Sequence, residues 1–183
     1  MPSEKNENRP RHLSERTVYE GFFNLKTELM QHPDGTQREY TSVCFESDAA
    51  VILAQDCKGR YILNREYRPP IKQWVLGAPG GSLLVDEDPL VGAKREFFEE
   101  TGYRADDMRL LGSCYPVPGI CSQTILYYYA KGAVQVSEQT LDPFEFIETV
   151  LLTEQELLNE IRRGLPTCGL LCTALWYKSL FMC

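Results

Sequence analysis

Residues 81–103 read GSLLVDEDPLVGAKREFFEETGY. The second half of this stretch is a helix with well-marked ends. Asp88 is a good N-cap, Pro89 takes the first helical position, and Gly102 is placed to stop the helix. Leu90, Ala93 and Phe97 recur at i, i+3 and i+7 and give it one apolar stripe. Glu96, Glu99 and Glu100 stand at i, i+3 and i+4, so three carboxylates share a face. Like charges at these spacings each disfavour a helix by ~0.2–0.5 kcal/mol. On an arbitrary helix such a cluster is a solvated surface. The alternative is a cation site: hard ions such as Mg²⁺ take oxygen ligands and few carboxylates, and would turn the repulsion into attraction.

Working outward, a glycine-rich loop, Gly77-Ala78-Pro79-Gly80-Gly81, leads into this segment. Upstream, alternating apolar and aromatic residues predict a strand over 17–25 and another around 26–31. A His32-Pro33-Asp34-Gly35 turn follows, then a strand over 37–45. The runs 49–54 and 61–67 form a hairpin around Lys58-Gly59, ended by Arg68-Pro69-Pro70. Downstream, strands are predicted over 108–115, 124–130 and 146–152. Thr153 and Glu156 make a capping box for a helix over 153–163, and a last apolar helix starts near Pro166. Residues 1–16 are polar and read as a frayed tail; residues 17–183 read as one domain, a mixed sheet with helices packed on it.

Composition narrows the class. The 183 residues are 43% hydrophobic and 25% charged, with a formal charge of −7. An acidic chain lacks the cationic stripe that nucleic acid requires, and no apolar run approaches a bilayer span. No nucleic-acid or membrane partner is expected. The N-terminus has no apolar signal core. The seven cysteines are odd in number, irregular in spacing and far from the two histidines. They read as reduced, core-packing thiols of a cytoplasmic protein rather than as a zinc site.

Gly81, Glu87, Arg95, Glu96, Glu99, Glu100 and Gly102 fit the pattern G-x5-E-x7-R-E-U-x-E-E-x-G-U, with Phe97 and Tyr103 at the bulky U positions. Seven specified residues match by chance on the order of 10⁻⁸ per starting point. The pattern is the Nudix box, and the chain resembles a Nudix hydrolase. The resemblance implies an α/β fold, an α/β/α sandwich around a mixed β-sheet with N-terminal antiparallel strands. It also implies cleavage of a nucleoside diphosphate linked to another moiety, with Mg²⁺ or Mn²⁺ as cofactor. Three further stretches resemble the ADP-ribose pyrophosphatase subfamily: Arg65-Glu66-Tyr67-Arg68-Pro69-Pro70, Pro118-Gly119 placed 16 residues past Gly102, and Glu145-Phe146-Ile147-Glu148.

By that resemblance, Glu96 and Glu100 are metal ligands, Glu99 is a third ligand or a helper, and the carbonyl of Gly80 faces a metal. Arg95 forms an orienting ion pair with Glu87 at the substrate site. Gly81 lets backbone approach phosphate or metal. Arg68 is the cation for a substrate phosphate. Phe22 and Tyr40 are candidates to stack on the nucleobase across a homodimer interface, or are ordinary sheet packing; Trp74 is a weaker candidate. Two positions depart from the subfamily. Gly77 replaces an acidic residue, and Gln123 stands where many members carry the base. Glutamine cannot take a proton at neutral pH. Some relatives draw this carboxylate from the strand before the second helix, and by that resemblance the base is expected to be Glu145, with Glu148 next. The expected substrate is a nucleoside diphosphate sugar. Alternatives are a dinucleoside polyphosphate, a pterin triphosphate, or a non-catalytic nucleotide sensor.

Overall fold

The computed structural model describes residues 9–181; the first eight residues of the expected tail, and Cys183, lie outside the described residues. The chain forms two compact units, Met1–Glu46 with Tyr115–Gln123, and Ser47–Cys114 with Thr124–Cys183.

The first unit carries an antiparallel sheet of β1 (Arg11–Tyr19), β2 (Asn24–Gln31) and β3 (Gln37–Cys44), in that order. Here the expected tail gives way to a strand from Arg11 onward. Its polar residues make cross-strand ion pairs instead of fraying: Lys26 Nζ of β2, diagonal to Glu15 in the ladder, lies 2.8 Å from it, and Arg16 lies 3.6 Å from Glu39 of β3. The strand expected over 17–25 is broken between Tyr19 and Asn24. Gly21 permits the break, because any Cβ there would press on the Tyr19 ring. The Asp34-Gly35 turn forms as expected, with Gly35 at φ 87° and Asp34 Oδ1 accepting from the Thr36 N–H at 2.9 Å.

The second unit is built on a seven-stranded mixed sheet. Its strands are β4 (Ala49–Asp56), β5 (Tyr61–Arg68), β6 (Gln73–Gly77), β7 (Tyr103–Arg104), β8 (Met108–Cys114), β9 (Ile125–Gln135) and β10 (Ile147–Leu152). The central order is β10-β5-β4-β9-β7, with β6 beside β5 and β8 beside β9. β4 and β9 run parallel; the other pairs are antiparallel. The helices are α1 (Pro89–Thr101), α2 (Glu154–Arg162) and α3 (Gly169–Phe181). β4 explains the layering. Its residues alternate between two cores, Ala50 and Ile52 packing in the cluster with Phe97 of α1, and Val51 and Leu53 in the cluster with Leu157 of α2 and Leu171 of α3. A strand covered on both faces reads as an unbroken apolar run, which is what residues 49–54 are. The expected α/β/α sandwich around a mixed sheet is therefore the observed architecture.

Two short strands, β6 and β7, have no counterpart among the sequence expectations, and β9 runs to Gln135, beyond 130. The core-packing expectation for cysteine holds only in part, with Cys114 packed against the cluster of Leu157 and Leu171. None of the six described thiols is fully buried, Cys57 and Cys172 are exposed, and all six are free.

Asp56, 7% exposed at the end of β4, anchors the hairpin turn. It accepts from the N–H groups of Lys58 and Arg60 and from the Arg60 guanidinium, 2.7 Å away. Burial opposes its ionisation, but these donors outweigh burial and hold the pKa below the usual 3.8. A native pKa below the unfolded one gives stability that is present above pH ~4 and is lost as pH falls through the native value. Asp56→Asn is expected to cost about 1.5–3 kcal/mol at pH 7, the range for hydrogen bonds to a charged group. Thermal melts from pH 7 to 2 check this: the gap between wild type and variant should shrink on the acid side.

Candidate active site

The box helix is fixed at both ends. Asp88 Oδ1 accepts from the N–H groups of Leu90 at 3.0 Å and Val91 at 3.1 Å. Gly102 turns left-handed at φ 71° and donates to Phe98 O at 2.7 Å. Beyond β9 the chain returns to this end, where Thr140 N–H donates to Glu99 O at 2.8 Å and Gln139 Nε2 to Glu100 O. The glycine-rich loop lies along β4, with Ile52 N–H donating to Pro79 O at 2.8 Å and Ala50 N–H to Gly81 O at 2.9 Å. Gly80 between them has φ 146°, and a Cβ there would collide with the Ala50 carbonyl. Gly80→Ala is therefore expected to cost about 1–3 kcal/mol in backbone strain alone and to lower the melting temperature.

The three box carboxylates differ in surroundings. Glu100 is 6% exposed. Its Oε2 accepts from Gly80 N–H at 2.7 Å and from Asn64 Nδ2 at 2.8 Å, both neutral donors. Burial pushes its pKa up to about 8; the Gly80 N–H opposes this, and the charges of Glu96, Glu66 and Glu145 add to it. The Glu96 side chain is 15% exposed, and burial raises its pKa against the pull of Arg95. Glu99 is the open one, at 42%. Arg95 ties the set together. Its Nε and Nη2 form a fork on Glu87 at 3.0 and 2.9 Å, and its Nη1 donates to Glu96 at 2.7 Å and Glu99 at 3.1 Å. Arg95 holds the Glu87 carboxyl down at about 2, and its own pKa is raised by the same pair. With Nη2 also 3.4 Å from Ser82 O, this guanidinium is taken up by orienting the box rather than left for substrate. Gly81 likewise serves the box, since a Cβ would collide with the Glu96 carboxylate.

β5 brings the remaining charges to the same place. Asn64, Glu66 and Arg68 alternate onto the sheet face that carries α1. Arg68 Nη2 lies 2.7 Å from Glu66 Oε2, and burial raises the Glu66 pKa. Glu145, just before β10, raises the pKa values of Glu66, Glu96 and Glu100 by its charge, so it stands near all three. Glu148 does not join them. It pairs with Arg65 in the β10–β5 ladder, on the opposite face, with Oε2 3.4 Å from the Arg65 guanidinium. Trp74 also belongs to that side, 5.2 Å under Arg65. Gly77 sits opposite Asn64 in the ladder. Asn64 and Glu66 received no role from the sequence. The available signal was a polar, strand-averse asparagine directly after the apolar Tyr61-Ile62-Leu63.

The aromatic candidates belong to the first unit. Phe22 is 83% exposed with its ring edge toward Phe45 at 6.0 Å. The Tyr40 hydroxyl lies 3.0 Å from His32 Nε2, and Arg38 covers its ring at 5.4 Å. Tyr40 and the Pro118-Gly119 stretch line one cavity of about 400 Å³ in that unit, together with Glu28, Met30 and Ser42. Gln123 belongs to this unit too, its N–H 3.4 Å from Cys121 Sγ.

The second unit's site fits a hard divalent cation. Its donors are carboxylate oxygens, the kind Mg²⁺ and Mn²⁺ take. Glu100 is a buried acid whose hydrogen-bond partners are uncharged. Asn64 Oδ1 beside it is buried without a partner.

The NUDIX domain profile matches residues 46–166. The chain belongs to the Nudix family of hydrolases. It is 31% identical over 139 residues to a methanol dehydrogenase activator of Bacillus methanolicus, covering 75% of each chain. It is 26% identical over 149 residues to an ADP-ribose pyrophosphatase of Bacillus subtilis, covering 80% of each. It is 27% identical over 165 residues to a GDP-mannose pyrophosphatase of Cronobacter sakazakii, covering 83% of this chain and 85% of that one. A crystal structure of an ADP compounds hydrolase shares the fold, with a TM-score of 0.84 over 97% of this chain and 96% of that one at 20% identity. Among the described residues, no helix is long and apolar enough to cross a membrane.

Proposed function

We propose that this enzyme hydrolyses the pyrophosphate bond of a nucleoside diphosphate sugar, ADP-ribose foremost, giving a nucleoside monophosphate and a sugar phosphate. The observation that carries the reading is the buried Glu100 carboxylate with uncharged partners, set beside Glu96 and facing the Arg68 strand. Glu96 and Glu100, with the Gly80 carbonyl, would hold Mg²⁺ or Mn²⁺, and Glu99 would assist from its exposed position. A bound divalent ion supplies Lewis acidity and neutralises charge on the phosphates. Arg68, positioned by Glu66, holds a phosphate oxygen with guanidinium geometry. Glu145 accepts a proton from the attacking water. The water oxygen then forms a bond to one phosphorus, the bridging P–O bond breaks, and the leaving phosphate takes the electron pair. The rings of Phe22 and Tyr40 support stacking on the nucleobase in a homodimer. The names of the relatives support a nucleotide-sugar substrate.

Product analysis tests this. Purified protein with Mg²⁺ is offered ADP-ribose, GDP-mannose, a dinucleoside polyphosphate and a pterin triphosphate. AMP and ribose 5-phosphate from ADP-ribose, abolished by EDTA, are expected. Tight ADP-ribose binding without product would favour a sensor instead, and cleavage confined to the polyphosphates would move the substrate class.

A further inference from the structure

We infer that Asn64 is a positioning residue that, together with the Gly80 N–H, pins Oε2 of Glu100 and leaves Oε1 as the oxygen that faces a bound divalent cation. The inference rests on the proposed role of Glu100 as a metal ligand. With a cation bound, the Glu100 carboxylate is ionised and only accepts hydrogen bonds, so the amide nitrogen of Asn64 is the atom turned toward it. Both donors, at 2.8 and 2.7 Å, converge on the same oxygen. Two such bonds occupy the two lone pairs of Oε2 and fix the carboxylate plane. Glu100 is thereby set to bind a metal through one oxygen, without searching among rotamers.

Stability does not explain an asparagine here. Asn64 is 3% exposed in the middle of β5, and its Oδ1 has no partner. Its ladder partner Thr149 carries a second buried oxygen without a partner, Oγ1. An unpaired buried polar atom costs about 1–3 kcal/mol, and asparagine is a poor strand residue. An apolar residue would suit the fold better, because Ile62 and Leu63 precede it and Phe97 packs on the same face. What Asn64 supplies, and leucine cannot, is the N–H on Glu100. Supporting residues around a metal ligand commonly change metal affinity 10–100-fold when removed.

The test compares Asn64→Leu and Asn64→Val with wild type. Mn²⁺ binding to the full chain is measured by calorimetry, melting temperature without metal, and kcat and KM with Mg²⁺. Mn²⁺ affinity is expected to weaken about 10–100-fold and kcat to fall, while the metal-free melting temperature stays level or rises. Val serves if Leu does not fold. Unchanged Mn²⁺ affinity in a folded variant overturns the inference, as does a lower affinity accompanied by a lower metal-free melting temperature, which marks a merely structural role. Glu100→Gln is titrated alongside. If it also keeps wild-type Mn²⁺ affinity, the ligand role of Glu100 is what fails; if it loses Mn²⁺ while the Asn64 variants keep it, the inference alone fails.

Discussion

Glu100→Gln lowers turnover on the order of 10²–10³-fold, the scale on which an active site loses one group that stabilises developing charge. The substitution is conservative toward the fold. Glutamine keeps a carbonyl oxygen that can accept from Gly80 N–H and Asn64 Nδ2, the two contacts Glu100 makes through one atom. It removes the charge that burial and three neighbouring carboxylates already make costly. The apo protein should therefore be no less stable than wild type. Circular dichroism melts without metal, set beside steady-state rates with Mg²⁺, separate the two effects. A large loss of rate with an unchanged melt is the expected pair. Wild-type turnover in a folded variant would remove Glu100 from the metal set.

Glu145→Gln should cost on the order of 10²–10⁴-fold in rate, the range for a lost general base. Its carboxylate accepts one hydrogen bond, from Asp142 N–H at 2.9 Å through Oε2, which a glutamine oxygen can replace. Metal affinity should change little, because the residue acts on the proton. Glu148→Gln is the paired control. Glu148 lies on the other face with Arg65, both side chains more than half exposed, so its loss should leave the rate nearly intact. If Glu148→Gln is the slow variant and Glu145→Gln is not, the assignment of the base is reversed.

What was legible in the sequence was local. The ends of α1 were readable because Asp88, Pro89 and Gly102 act on backbone groups within one turn. The Thr153–Glu156 capping box was readable for the same reason. The box itself was readable because a helix places i, i+3 and i+4 together without help. What the sequence hid depended on strand pairing. Glu145 and Glu148 are three residues apart, and only the β10–β5 register puts Glu148 across from Arg65, away from the box. A shift of one residue would have reversed its face. The Asn64 and Glu100 side chains meet across 36 positions, so neither announces the other. The different exposures of Glu96, Glu99 and Glu100 are likewise set by what packs over the helix, since one shared face can run from buried to open. β1 was missed because its charges pair with residues of β2 and β3, and charge alone reads as solvent exposure.

The most direct measurement is anomalous diffraction from a crystal of the full chain soaked in Mn²⁺. A manganese peak within coordination distance of Glu96 and of Oε1 of Glu100 is the expected result. Full manganese occupancy elsewhere, with the Glu96 and Glu100 carboxylates bound only to Arg95, Gly80 and Asn64, would contradict it.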